Sequence, residues 1–336
     1  MRKNALLKLV VGWGLFLLMI GYSIYLYSYK AKRYTYTLPY PYGHPTGTLP
    51  WIPFKWIGNE IKRKQVEKNA LCVPVKIDNI PHDFYFQFDM GSTYTMLYEN
   101  SLQPYLDKYP QLSNKLERKR PELMFWDDSK DFADLQLALG SVPFTGSHVY
   151  IKRSYGRVLN HDSITNNSQK IIGTIGVDML QTHVVIIDYP NQRICILDTL
   201  PVAYNATFSP FHLSRHGKVL LQMKYNGLVY DVIFDTGSSI FSLLTSGERL
   251  YLFSGENNND TIPIVSWGEV HRLIGRHMPG TVLLNNIPFS NVEVYGDYRL
   301  NDELLKEEKA DAVTGNALFW NKTVVIDFKR KLFGVL

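Results

Sequence analysis

Two aspartates carry the chemistry that this sequence offers. Asp89 follows the apolar run Phe84-Tyr85-Phe86-Gln87-Phe88 and opens the turn Asp89-Met90-Gly91-Ser92. Asp235 follows Val229-Tyr230-Asp231-Val232-Ile233-Phe234 and opens Asp235-Thr236-Gly237-Ser238. A carboxylate delivered by an apolar strand is costly to bury unless it is paired, hydrogen-bonded or protonated. Two of them face to face at about 3 Å cannot both ionise, so they share a proton and titrate as a pair. The ionised member then takes a proton from a water lying between them while the protonated member polarises a carbonyl. The result is amide hydrolysis by activated water, with neither a metal nor an acyl-enzyme. Gly91 and Gly237 let the backbone pass close to the carboxylates, and Ser92 and Ser238 are placed to hydrogen-bond their outer oxygens. Thr236 is expected to bond across the pair to the opposite backbone.

The two aspartates belong to a longer repeat. They lie 146 residues apart, and Leu137-Ala138-Leu139-Gly140-Ser141-Val142-Pro143-Phe144 recurs at an offset of 145 as Val282-Leu283-Leu284-Asn285-Asn286-Ile287-Pro288-Phe289. Thr174-Ile175-Gly176 with Val184-Val185-Ile186-Ile187-Asp188 recurs as Val313-Thr314-Gly315 with Thr323-Val324-Val325-Ile326-Asp327, the later block at an offset of 139. Three blocks in one order at nearly one spacing predict two homologous lobes, 66–200 and 210–336. Two copies of one fold imply a pseudo-twofold axis across which equivalent residues face each other.

The elements that must position these residues read as strands. From Val73 onward, short runs rich in Val, Ile, Phe and Tyr are punctuated by Gly, Asn and Pro, the pattern of an all-β architecture. Helices are expected only over Asn100 to Arg118 and Asn301 to Lys309, with a weaker helical stretch over Asn59 to Asn69. Residues 34–65 read as a spacer, because Pro39, Pro41 and Pro45 exclude a helix interior and a central strand.

At the start, Leu9 to Tyr29 runs 21 residues without a charge, long enough at about 1.5 Å per residue to span a bilayer. Its end in Tyr25, Tyr27 and Tyr29 favours a retained transmembrane helix over a cleaved signal peptide. Residues 1–33 therefore read as a cytoplasmic tip and anchor, with the body on the extracytoplasmic side. The net charge of +5 does not predict a nucleic-acid partner: residues 1–70 hold eleven Lys/Arg against two Asp/Glu, and removing that +9 leaves the body at −4. The basic excess belongs beside anionic lipid.

Phe234-Asp235-Thr236-Gly237-Ser238-Ser239 resembles the active-site motif of the aspartic proteases, and Ile175-Gly176 and Thr314-Gly315 resemble that family's later hydrophobic-hydrophobic-Gly element. The similarity covers about Val73 to Leu336. Within it, Gly176 to Ile194 resembles bacterial and retropepsin-type members. The resemblance implies a bilobal pepsin-like acid protease fold with pseudo-twofold symmetry and an aspartic endopeptidase acting on a peptide or protein substrate. Asp89 and Asp235 would be its catalytic dyad, and no metal or other cofactor is implied. It also implies an aromatic-tipped flap, for which Trp126 and Trp267 are the candidates.

The pattern departs at Met90, where the family has Thr or Ser. This motivates the alternative of a catalytically silent homologue that binds peptides or a partner. Cys72 and Cys195 either form one bridge or are buried strand residues, the second being favoured. The four-residue spacing of His212 and His216 lacks the intervening Glu and the helix that a metal pair requires.

Overall fold

The computed structural model describes residues 13–24, 49–61, 64–116, 131–140, 142–160, 164, 170–201, 204, 207–253, 257–266, 269–297 and 302–336. The chain is mostly β. After the short strand β1 (Ile52–Pro53) come β2 (Lys55–Ile61), β3 (Lys64–Ile77), β4 (Phe84–Phe88), β5 (Met96–Tyr98), β6 (Asp131–Leu139), β7 (Val142–Lys152) and β8 (Ile171–Ile175). These seven form one sheet in the order β2-β3-β4-β8-β5-β7-β6, closed on itself by a β3–β6 pairing. β9 (Val184–Asp188), β10 (Arg193–Leu197) and β11 (Thr207–Pro210) follow. A second sheet then forms from β12 (His212–Leu213), β13 (Val219–Tyr225), β14 (Leu228–Phe234), β15 (Leu243–Ser246), β16 (Asn257–Ser266), β17 (Glu269–Leu284), β18 (Ile287–Asp297) and β19 (Ala312–Thr314). Its order is β12-β13-β14-β19-β15-β18-β17-β16, closed by β13–β17. β20 (Thr323–Asp327) and β21 (Leu332–Val335) end the chain.

The repeat in sequence is a repeat in topology. The run β3-β4-β8-β5-β7-β6 of the first sheet has the strand order of β13-β14-β19-β15-β18-β17 in the second. In each, the strand before the aspartate lies parallel to the strand before the later glycine, with Phe88 beside Ile175 and Phe234 beside Thr314. The third sheet, β1-β10-β9-β20-β21-β11, joins the two halves. At its centre β9 and β20 pair antiparallel, Asp188 with Thr323, Ile186 with Val325 and Val184 with Asp327. Every residue of β9 is buried, as a Val/Ile run covered on both faces requires.

Burial alternates along β4, so that Phe84, Phe86 and Phe88 enter the core while Tyr85 and Gln87 turn away from it. In the second repeat Phe234, Phe319 and Phe333 pack edge-to-face with centroids 5.4–6.0 Å apart, a favoured aromatic geometry.

Helix α1 covers residues 13–24, α2 is Glu99–Lys108, α3 is Pro110–Leu116 and α4 is Asp302–Glu308. The helix expected over Asn100 to Arg118 is thus two, broken at Tyr109 because Pro110 restricts the residue before it. The helical expectation for Asn59 to Asn69 is overturned. This stretch is the β2–β3 hairpin, whose ladder hydrogen bonds outweigh a weak local preference. β structure also begins inside the stretch read as spacer, where Ile52 and Phe54 are buried. The apolar span Leu9 to Tyr29 lies only partly within the described residues. Among these, no helix is long and apolar enough to cross a membrane. Cys72 and Cys195 are buried free thiols, Cys72 pushed up to about 12 by burial.

Candidate active site

Asp89 and Asp235 stand at matching points just past the parallel strand pairs. The Asp89 N–H donates to Ile175 O at 3.0 Å, and the Asp235 N–H to Thr314 O at 2.8 Å. Each aspartate is therefore anchored by the strand that leads to the later glycine of its own repeat.

The two turns interlock. A Cβ added at Gly91 would lie 2.4–2.5 Å from the Asp235 carboxyl atoms, and one at Gly237 would lie 2.6–2.8 Å from those of Asp89. Glycine is required at both positions for space, since each turn sits directly against the opposite carboxylate. Asp235 Oδ1 accepts from Gly237 N–H at 2.7 Å and from Gly91 N–H at 2.9 Å, while Asp89 Oδ1 accepts from Ser92 N–H at 3.0 Å. The Thr236 hydroxyl crosses as expected, donating to Phe88 O at 2.8 Å and accepting from Met90 N–H at 3.0 Å. Met90 returns nothing of this kind; its side chain is fully buried in the hydrophobic core.

Asp89 is 7% exposed. Burial pushes its carboxyl well above the usual carboxylate range, and the charge and hydrogen bond of Asp235 push it further, against N–H bonds from Ser92 and Gly91. In the folded chain the Asp89 proton is therefore retained above about pH 4, where the unfolded side chain loses its own. The folded state thus binds more protons in that window, and stability falls as pH rises through it. Asp89→Asn removes this dependence. Scanning calorimetry should find wild type and variant nearly level at pH 4 and the variant a few degrees more stable at pH 7; a difference that stays flat with pH would contradict a retained proton.

The later glycines act by close approach. A Cβ at Gly176 would meet the backbone of Tyr94 and Thr95 at 2.3–2.8 Å, and one at Gly315 would meet Ser238 O at 1.7 Å. The serines do not fill the role expected of them. Ser92 Oγ donates to Tyr94 O at 2.9 Å, and among the described residues the buried Ser238 Oγ has no hydrogen-bond partner. It is the backbone N–H of Ser92 that reaches a carboxylate. Trp126 and Trp267 lie outside the described residues; the strands flanking Trp267 pair up to Ser266 and Glu269.

Four residues at the site carry no motif. Asn316 donates to Thr236 O at 2.6 Å and to Ser239 Oγ at 2.9 Å, and accepts from the Tyr189 hydroxyl of the first repeat at 2.5 Å. Lys218 reaches Thr93 at 2.9 Å. The available signal was position: Asn316 adjoins Gly315, and Lys218 adjoins the apolar run of β13. His216 Nδ1 lies 2.9 Å from Glu308, and among the described residues no group of three His, Cys, Asp or Glu is placed to hold a metal. Comparison with protein-family models and with curated proteins returns no match.

Proposed function

We propose that this chain is a membrane-anchored aspartic endopeptidase with a bilobal pepsin-like body, hydrolysing peptide bonds in an extended substrate held between the lobes. The observation that carries the reading is the reciprocal packing of Gly91 on the Asp235 carboxyl and Gly237 on that of Asp89. Nothing in strand packing calls for two carboxylates side by side, and burying a carboxylate costs several kcal/mol unless it is paired, hydrogen-bonded or protonated.

In the proposed reaction, Asp235 takes a proton from water as the water oxygen bonds to the peptide carbonyl carbon. Asp89 passes its proton to the carbonyl oxygen, giving a gem-diol. On collapse, Asp235 gives its proton to the amide nitrogen while Asp89 recovers one from a diol hydroxyl. The C–N bond breaks into acid and amine, and the dyad returns to its starting state. Cleavage therefore needs the singly protonated pair and falls as pH rises past the upper of its two macroscopic values. The span Leu9 to Tyr29 would tether the body to the membrane on its extracytoplasmic side.

Met90 favours a second reading, a silent homologue that keeps the cleft for binding, because the return half of the interlobe hydroxyl support is missing. A peptide-library digest by the full-length chain in detergent, from about pH 3 to 7, separates the two. Acid-favoured cleavage absent from Asp89→Ala and Asp235→Ala supports the endopeptidase, and binding without cleavage by folded wild type supports the silent homologue.

A further inference from the structure

The two aspartate turns are supported unequally. Thr236 gives the Asp89 turn two bonds from across the axis, and Met90 gives none in return. The outer part of the Asp89 turn is also held by a lysine from the second repeat. Lys218 is 4% exposed, and its Nζ donates to Thr93 Oγ1 at 2.9 Å and lies 3.1 Å from Glu308 Oε1. Glu308, 3% exposed, also accepts from His216 N–H at 3.4 Å and lies 2.9 Å from His216 Nδ1.

An ammonium this deeply buried is tolerable only with its partners fixed around it. The cluster is correspondingly well coordinated. Burial alone would raise the Glu308 carboxyl, but hydrogen bonds from Ser214, Lys218 and His216 together with the Lys218 charge hold it below the usual range. The hook has no counterpart in the other direction. Val75 and Met223 occupy matching places at the two ring closures, and in that register the position of Lys218 is taken in the first repeat by Ala70, whose methyl donates no hydrogen bond.

Thr93 adjoins Ser92, whose N–H donates to Asp89 Oδ1 and whose carbonyl accepts Val177 N–H at 2.9 Å. Fixing Thr93 fixes the peptide that steadies the Asp89 carboxyl. We propose that Lys218, clamped by Glu308 and His216, is a positioning residue that holds the outer part of the Asp89 turn through Thr93, adding to the two bonds that Thr236 gives the same turn. Its kinetic consequence rests on the endopeptidase reading; its electrostatic consequence does not.

The test uses the full-length chain and the variants Thr93→Val, Thr93→Ser and Lys218→Met/Glu308→Gln, the last pair leaving no buried carboxylate without its cation. Carboxyl NMR of aspartate-labelled protein, with the Asp89 signal assigned by its loss in Asp89→Asn, should show Asp89 titrating about half a pH unit higher in Thr93→Val, because the Ser92 N–H bond to the ionised form is weakened. Thr93→Ser should match wild type. On a cleaved peptide, Thr93→Val should lose ten- to a hundredfold in kcat, on the order of what a small misplacement costs, with KM nearly unchanged. Unaltered Asp89 titration in Thr93→Val would overturn the proposal and leave Lys218 as a structural ion pair. If wild type cleaves nothing, the endopeptidase reading fails while the titration still decides the clasp; if Lys218→Met/Glu308→Gln does not fold, Thr93→Val alone decides it.

Discussion

Asp235→Asn is expected to lower kcat for a cleaved peptide by about three to four orders of magnitude, the size of a lost general base, and Asp89→Asn to do so by a similar factor. Asparagine copies the shape of each carboxyl, so both variants should fold. They differ in what they remove. The amide introduced by Asp235→Asn cannot take a proton from water, although its oxygen still accepts the N–H bonds from Gly91 and Gly237. The amide introduced by Asp89→Asn can donate a hydrogen bond to a carbonyl but cannot pass a proton to it. Because one proton serves both groups, the double variant should be little worse than either single one, as befits residues that act as a unit. Loss in only one of the two variants would mean that the carboxylates do not work as a dyad. Tight retention of a peptide isostere by both inactive variants would separate a failure of chemistry from a failure of binding.

Gly315→Ala should be among the most destabilising single substitutions in the chain, with a loss beyond about 4 kcal/mol. The added methyl would fall 1.7 Å from Ser238 O and 2.6 Å from Ser238 C. Both are backbone atoms, so no rotamer change can relieve the overlap. The same carbonyl accepts Asn316 N–H at 2.8 Å, so retreat would break the bond that seats the Asp235 turn against β19. Gly176→Ala makes the equivalent clash with Tyr94 in the first repeat and should be comparably severe. Gly227→Ala is the control. Nothing lies within 4 Å of its Cβ, and only its φ of +77° disfavours a side chain, a cost of about 1 kcal/mol. Urea unfolding of the three variants would rank them. Near-equal losses would mean that the close approach is not what makes Gly315 and Gly176 necessary.

Local patterns decided a good deal. The alternation in Phe84 to Phe88, the Val/Ile run of β9 and the paired Asp-x-Gly turns are properties of a few adjacent residues. Strand identity and the positions of Asp89, Asp235, Gly91 and Gly237 could therefore be read directly. The doubling of three blocks carried more, because two copies of one pattern must pack alike, and the matching strand orders of the two closed sheets follow from it. The Thr236 crossing was legible for the same reason.

What only the tertiary structure decided is what arises between residues far apart in the chain. The stretch from Asn59 to Asn69 has a weak local preference, and pairing within the β2–β3 hairpin settled it as strand. The Ser92 hydroxyl bonds to Tyr94 O rather than to a carboxylate, and it is the Ser92 backbone N–H that reaches Asp89. Asp89 holds its proton because folding buries it beside Asp235, a property of solvent exclusion and proximity that no single motif encodes. Lys218 and Glu308 lie far apart within the second repeat and Thr93 lies in the first, so the three meet only in the folded chain. A buried charge pair of this kind leaves no periodic signature, since its stability depends on partners supplied by the whole fold.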